Sequence, residues 1–430
     1  MHGFVRHYIK RGENMKTLKF NENGKFRILQ ISDLQDTKAT SVDTLHFLEA
    51  AIPEVKPDLI VLTGDQLDVV GMWGKGDTLK KNVRKAIDGV MAPIRASGIP
   101  FLVTFGNHDC QTGMPNAEQA EIYAEIENCI CFDDLNDGRP DAGTYNQLIM
   151  SSDGTKPAMN IYMIDSNSAH PTAVGGYDCV HPGQIEWCTE KSAELKAENG
   201  GKPVPSIVFQ HIPVWELYNV LKEVPKGTKG ALAGFRSRKG KFFAIDEEKV
   251  WQTGTFGEVP AVPEEDGPQF EEILKQGDVF AMYFGHDHYN SFAGKYKGID
   301  LGYCPGAGYN TYGLNPRGMR VFDFDENDIE RYETKVLRVD DFYKKPLYQP
   351  VKNFVYINAP SSFDAAIPFI LKVLPFVIAI IVASVLLHKI IPTGVNVFWL
   401  CIAAFAACYG LFSLIRNNIE RKKLLSKFKK

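Results

Sequence analysis

Cysteine is sparse, eight among 430 residues, and the six in the body, Cys110, Cys129, Cys131, Cys179, Cys188 and Cys304, fall at no paired-repeat spacing. That excludes a disulfide framework, and the lack of any CxxC removes the common zinc and redox motifs. A reduced compartment is the simplest expectation. The first twenty residues, MHGFVRHYIKRGENMKTLKF, hold no apolar run of secretory length, so no signal peptide is expected there, and Met15 is a second candidate start. No internal repeat is present. With 44% hydrophobic and 23% charged residues, the composition excludes wholesale disorder, collagen and coiled coil. Net charge is also small, at -4, but it hides a division. Residues 365–430 carry nine Lys/Arg against one Glu, whereas residues 1–364 carry 39 Lys/Arg against 51 Asp/Glu. An acidic body argues against a nucleic-acid-binding surface.

Formal charge is scarcest near the C-terminus. Val395 to Ile415 is 21 residues without one, long enough to cross a bilayer as a helix. Ile367 to Leu387 holds only Lys372, near its start, where the aliphatic stem can reach the headgroups, and Pro375, tolerable in a membrane helix. HKIIPTG (388–394) reads as the turn between them. The expectation is a two-helix transmembrane hairpin, with helices over 365–388 and 395–416 and a basic tail over 417–430. A buried helical pair in a soluble core, or a hairpin lying in one leaflet, are the alternatives. From Arg416 onward there are seven Lys/Arg, and the turn has only Lys389. The positive-inside rule places the tail in the cytoplasm, and two spans return the N-terminal body to the same side.

The rest divides into an N-terminal extension (1–24), a body (25–340) and a linker rich in proline, aromatics and polar residues (341–364). In the body, FRILQIS (26–32), DLIVLTG (58–64) and PFLVTFG (100–106) alternate with segments of helical apolar spacing, which predicts an α/β fold with parallel strands. IYMID, SIVFQH, VFAMYFGH, GIDLGY and GMRVFDF supply later strands. Residues 222–268, rich in Gly, Pro, Lys and Glu, read as a long surface excursion.

Polar residues gather where these strands end. In order they are Asp33 and Gln35; Asp65 and Asp68; Asn107, His108 and Asp109; His211; and His286, Asp287 and His288. Ligands of open α/β sheets sit at strand C-termini, so five loops would bring oxygen and nitrogen donors to one rim. Such a rim suits two divalent cations. Imidazole and carboxylate without thiolate favour Mn, Fe, Zn or Mg. The blocks DLQ, GDQLD, GNHD, QH and GHDH resemble the ordered signature of the calcineurin-like metallophosphoesterases across about residues 25–340. GDQL, GNHD, FQHIPVWE, GHDHYNSF and YCPGAGYNTYG are most similar to the intracellular purple-acid-phosphatase-like branch of plants and fungi.

The resemblance implies a four-layer α/β/β/α sandwich and two-metal phosphoester hydrolysis with a bridging hydroxide. It implies that Asp33, Asp65, His288 and Gln35 hold one metal and that Asp65, Asn107, His211 and His286 hold the other. His108 would act on the phosphoryl group or leaving group, oriented by a hydrogen bond that its imidazole donates to the Asp109 carboxylate. Gln35 stands where most members have a histidine. A neutral amide oxygen is a weaker donor, so Mn is slightly preferred, and a similar D-x-Q in manganese-dependent nucleotide pyrophosphatases brings nucleotide diphosphates into play. Asp68 replaces the tyrosine that ligates ferric iron in purple enzymes, which argues against a purple iron centre.

Plainer roles are expected elsewhere. Asp68 either ligates or braces its turn, Asp287 supports its loop, and His46, His170 and His181 are structural or superficial. Tyr309, Asn310 and Tyr312 either border the pocket or pack a glycine-rich turn. FRSRKGK (235–241) is either a solvated loop or a source of Arg236, Arg238 or Lys241 for a phosphate or an anionic membrane. The expected protein is therefore a membrane-anchored metallophosphoesterase facing the cytoplasm, with two divalent metal ions. A phosphomonoesterase acting on a phosphorylated small-molecule or lipid-linked substrate is preferred. A phosphodiester or nucleotide-diphosphate hydrolase, and a non-catalytic metal-binding membrane scaffold, are the alternatives, and the oligomeric state is open.

Overall fold

A computed structural model describes residues 17–429 except 71, 133, 134, 136, 174, 346, 359–362 and 391–393. The first sixteen residues of the expected extension, Met15 among them, and the centre of the expected hairpin turn therefore lie outside the described residues.

The strands in chain order begin with β1 (Lys25–Ile31), β2 (Leu59–Thr63), β3 (Phe101–Thr104), β4 (Tyr145–Met150) and β5 (Pro157–Ile164). Then come β6 (Ser206–Gln210), β7 (Leu221–Glu223), β8 (Leu232–Ala233), β9 (Phe242–Ile245) and β10 (Val279–Phe284). The series closes with β11 (Ala293–Tyr296), β12 (Ile299–Tyr303), β13 (Gly318–Asp325) and β14 (Glu333–Arg338). One sheet has the order β14-β13-β1-β2-β3, and a second has the order β11-β12-β10-β6-β5-β4. In the first, β1, β2 and β3 run parallel, and β13 pairs antiparallel with β1. In the second, β5, β6, β10 and β12 are parallel. Both sheets thus present several strand C-termini in one direction.

Sequence dictates these central positions. LIVLT in β2 and VFAMYF in β10 are buried at every residue, as strands covered on both faces must be. The sheets meet through aromatic side chains. Phe322 of β13 lies 5.5 Å from Phe209 of β6 and 4.6 Å from Tyr283 of β10, both edge-on, a favoured packing for aromatic rings. Ile185 and Cys188 of helix Pro182–Glu198, with Phe270 and Ile273 of helix Gln269–Gln276, join Val208, Met282 and Phe284 in one core cluster. Helix Val42–Val55 contacts helix Ala92–Ser97 and buries Leu45, Leu48 and Ile52. The expected α/β/β/α layering is present.

Residues 222–268 are more than loop. They build the small β7-β9-β8 sheet and send Phe243, Val250, Val259 and Val262 into the same core cluster.

The chain separates into two compact units, residues 1–344 and 345–430. The second unit holds helices Pro350–Asn358, Phe363–Ile390 and Gly394–Lys427, so the expected linker is partly helical and the basic tail continues the last helix. Val373–Ile390 and Phe398–Lys427 lie in helices long and apolar enough to cross a membrane. Their large side chains are mostly uncovered, Phe376 at 71% and Phe405 at 73% exposure, which is unlike the buried helical pair of a soluble core.

Candidate metal centre

Each motif residue follows a strand end, and four of them lie in strained turns. Asp33 and Gln35 follow β1, Asp65 follows β2, Asn107 and His108 open helix Asn107–Gln111 after β3, His211 follows β6, and His286 and His288 follow β10. Asp33, Gln35, Asp65 and His286 have φ of +54°, +38°, +53° and +70°. Left-handed backbone is costly for such residues and concentrates at functional sites. Loop-to-loop bonds hold it: Gln35 N–H donates to the Asp65 carbonyl at 2.8 Å, and Gly285 N–H to the His211 carbonyl at 3.1 Å. Two motif glycines make the close approach possible. A Cβ on Gly106 would meet Asp65 Oδ1 at 2.3 Å, and one on Gly285 would meet Ser32 Oγ at 2.0 Å and Asp33 Oδ2 at 3.0 Å.

The side chains converge. Asp65 Oδ2 lies 3.2 Å from His211 Nε2 and 3.1 Å from the Gln35 amide nitrogen. His211 Nε2 is 3.1 Å from Asn107 Oδ1 and 3.2 Å from His286 Nδ1. Asp33 Oδ1 lies 3.1 Å from His288 Nε2 and 3.9 Å from His211 Nε2. Asp65, His211 and His286 form a buried cluster whose ligand atoms lie within 4.8 Å of one another.

Two histidines are oriented from behind. His211 Nδ1 is 2.9 Å from the Thr63 carbonyl oxygen and His288 Nδ1 is 2.8 Å from the Tyr312 carbonyl oxygen. Each Nδ1–H donates to that oxygen, so Nε2 is the nitrogen turned to the cluster, as in histidines that ligate metals. Tyr312 also stacks on His288, with ring centres 4.1 Å apart, and Tyr177 meets His286 edge-on at 4.4 Å.

Electrostatics follow from this crowding. Burial pushes the Asp65 carboxyl up, but His211 beside it overcomes that and holds it well below the usual range. Burial opposes protonation of His211, yet Asp65 carries it up to about 10, so a proton on His211 stands in for positive charge. His286, buried and next to His211, is held down to about 3. Asp33 is fully buried, with Oδ1 facing the ring nitrogens of His288 and His211. Acceptors and lone pairs facing one another in a dry pocket call for cations, and a donor set of oxygen and nitrogen fits divalent ions.

Not every motif residue joins the cluster as expected. The expected Asp109–His108 hydrogen bond is absent. Asp109 Oδ2 accepts the N–H groups of Asp65 and Gly106, both at 2.8 Å, and Oδ1 accepts that of Leu67 at 3.0 Å. The third residue of a helix turns its carboxylate back to the N-terminus, which carries Asp109 away from the ring. His108 is fixed through its backbone instead, donating N–H to Asp65 Oδ1 at 2.7 Å, while its ring is 33% exposed and Nδ1 is unpartnered. Asp68 accepts the Val70 N–H at 2.7 Å and braces its turn. Asp287 accepts the Tyr303 hydroxyl at 2.5 Å and the Ala261 N–H, tying the 222–268 segment to its loop. Asn310 donates to Asp36, and Tyr309 N–H donates to Thr44. His46 stacks on Tyr343, His170 accepts the Ala173 N–H, and His181 pairs with Asp178, all away from the cluster.

Sequence reading missed Tyr177 and Glu258. Glu258 accepts the Tyr289 N–H at 2.8 Å and the Tyr312 hydroxyl at 3.2 Å, buttressing the ring that stacks on His288. Neither residue lies in a motif, and no spacing marks them.

A relative from Arabidopsis thaliana named "Probable inactive purple acid phosphatase 14" is 29% identical over 344 residues, covering 71% of this chain and 76% of its own. A second, "Probable inactive purple acid phosphatase 29" from the same plant, is 28% identical over 69% of this chain and 76% of its own. "Phosphatase DCR2" of Saccharomyces cerevisiae is 27% identical over 50% of this chain and 39% of its own. The sequence pattern of the family described as "Calcineurin-like phosphoesterase" matches residues 26–290, from β1 through the GHDH loop. The chain belongs to the calcineurin-like phosphoesterase family.

Proposed function

We propose that the protein is a metal-dependent phosphoester hydrolase that removes a terminal phosphoryl group, anchored to a membrane by its C-terminal helices. The observation that carries this reading is the convergence of Asp33, Asp65, Asn107, His211, His286 and His288 on one buried point, where Asp33 Oδ1 faces His288 Nε2 at 3.1 Å and Asp65 Oδ2 faces His211 Nε2 at 3.2 Å. Asp33, His288 and Gln35 would hold one divalent ion, and Asn107, His211 and His286 a second, with Asp65 shared. Two such ions, Mn preferred, would supply the positive charge that neutralises phosphoryl oxygens and activates water. His108, whose side chain is partly open to solvent, would meet a phosphoryl oxygen or protonate the leaving group. Asp109 would hold the turns at Asp65 and Gly106 through their backbone N–H groups. The substrate is a phosphorylated small molecule or a phosphorylated lipid headgroup.

A second reading, a metal-binding scaffold without turnover, draws support from Gln35, whose amide nitrogen faces Asp65 Oδ2. Turning that amide over presents its oxygen instead. Full-length protein in detergent, stripped and reloaded with Mn, Mg, Zn or Fe, separates the two. Turnover of a phosphomonoester supports the hydrolase; metal binding without turnover of a monoester, a diester or a nucleoside diphosphate supports the scaffold.

The basic end of helix Gly394–Lys427 supports a cytoplasmic C-terminus, and two spans would return the chain to that side for the hydrolase unit. Labelling of a cysteine introduced at Thr393 from outside intact cells is the expected result. Labelling of one at Ser426 instead inverts the topology.

A further inference from the structure

Large apolar side chains are sparse on the surface of the 1–344 unit, and they gather at one place. Among its described residues five are exposed, and three of these, Val69 at 44%, Val70 at 65% and Trp73 at 65%, share one loop. A clustered apolar patch, unlike single scattered residues, marks a contact surface.

The loop continues from the turn that carries Asp65. Asp68 N–H donates to the Asp36 carbonyl at 2.9 Å, and the Asn82 side chain donates to the Trp73 carbonyl at 2.8 Å, which ties the loop down on both sides of the valines. Lys38 Nζ lies 4.2 Å from the Trp73 ring centre. Helix Asp77–Val90 follows the loop. It buries Val83, Ala86, Ile87 and Val90 and leaves Lys80, Lys81 and Lys85 exposed, as is Lys75 before it. Arg84 is taken up by Glu125 at 2.5 Å. Residues 66–85 hold five Lys/Arg against two Asp, a basic surplus in an otherwise acidic body.

An indole and two valines set among lysines match the headgroup layer of an anionic bilayer. The apolar groups enter the boundary with the acyl chains, and the ammonium groups meet lipid phosphates and carboxylates. The chain also carries two helices long and apolar enough to cross a bilayer. A unit tethered in this way meets the membrane at high effective concentration, so a small patch that would bind weakly on a free protein suffices as a second contact.

We propose that Val69, Val70 and Trp73, with the lysines around them, form a docking surface for an anionic lipid bilayer. The inference rests on the membrane-anchored reading and adds a second contact, made by the hydrolase unit itself. The cytoplasmic leaflet carries the anionic lipids, and it is the leaflet that unit would face in the proposed topology.

The test uses full-length protein in detergent, in phosphatidylcholine vesicles, and in phosphatidylcholine mixed with phosphatidylserine at about 7:3. Trp73 is read as the difference in tryptophan emission between wild type and Trp73→Phe, and its accessibility as quenching by acrylamide. In detergent and in phosphatidylcholine the ring should be open to acrylamide. With phosphatidylserine its emission should shift to the blue and its quenching should fall, and about 0.5 M salt should reverse both. Each lysine near such a surface is worth about five-fold in the docked-to-open ratio, so Lys80→Gln, Lys81→Gln and Lys85→Gln together should lower it about a hundred-fold. All three are exposed, so the fold is not at stake.

A ring equally quenched in all three media overturns the proposal. So does a ring already shielded in detergent, which means a protein cover, or shielding that the triple variant retains. If the protein does not insert into phosphatidylcholine vesicles, the anchored reading fails separately, and flotation with the phosphatidylserine vesicles decides the surface. Weaker flotation of the triple variant than of wild type supports it; equal flotation overturns it.

Discussion

His211 donates its Nδ1–H to the carbonyl oxygen of Thr63 across 2.9 Å, and this single bond fixes which ring nitrogen faces the cluster. Nε2 then lies within 3.2 Å of Asn107, Asp65 and His286. The last residue of β2 thereby aims an imidazole that follows a strand of the other sheet.

His211→Ala removes the nitrogen at the centre of the cluster. Metal affinity should fall at least about a hundred-fold, as for losses at comparable metal sites. The rise in Tm on adding Mn to stripped protein should disappear, which calorimetry or a thermal shift assay reads directly.

His108→Ala should separate binding from chemistry. The ring is partly exposed and its backbone, not its imidazole, bonds Asp65. The Mn-induced Tm shift should persist while kcat falls by about two to four orders of magnitude, the usual worth of a general acid or transition-state donor. A variant that lost the Tm shift but kept turnover after reloading would contradict the role.

Asp109→Asn turns an acceptor of three backbone N–H groups into a mixed donor and acceptor. One N–H among Asp65, Gly106 and Leu67 would then face an amide NH2. Stability should fall by about 1–3 kcal/mol, the cost of an unsatisfied buried polar group, and metal affinity should weaken with it because Asp65 is released. Denaturant melts of the stripped protein measure the first effect without the second.

Asp165 tests the electrostatics away from the metal. Burial, with Asp141 nearby, pushes its carboxyl up to about 7. Between about pH 4 and 7 the folded state keeps a proton that the unfolded state has lost, so this group makes stability fall as pH rises through that window. Below it both states are protonated and the penalty vanishes; above it the penalty is complete. Asp165→Asn should therefore gain Tm relative to wild type as pH is raised from 4 to 8, and a constant difference would contradict the assignment.

The two-sheet core and the candidate rim were legible because the central strands are short, mostly apolar runs that end in a polar motif. FRILQIS, DLIVLTG and VFAMYFGH needed no tertiary knowledge to place Asp33, Asp65 or His286. Asp109 was misread because adjacency to His108 in sequence hides its position in the helix, where the third residue points back at Gly106 rather than toward its neighbour. Residues 222–268 read as surface because their few apolar residues keep no period, yet Phe243, Val250, Val259 and Val262 are buried in the core. Tyr177 and Glu258 reach the centre from loops, and contacts of that kind leave no trace in spacing.

The most direct test of the account is single-batch turnover by full-length protein, stripped of metal and then titrated with Mn. The account predicts no phosphate release from a phosphomonoester or ADP without metal, saturable release with it, and none from the Asp65→Asn variant at any Mn concentration. Turnover that survives both stripping and Asp65→Asn, or stoichiometric Mn binding with no release from either substrate, would contradict it.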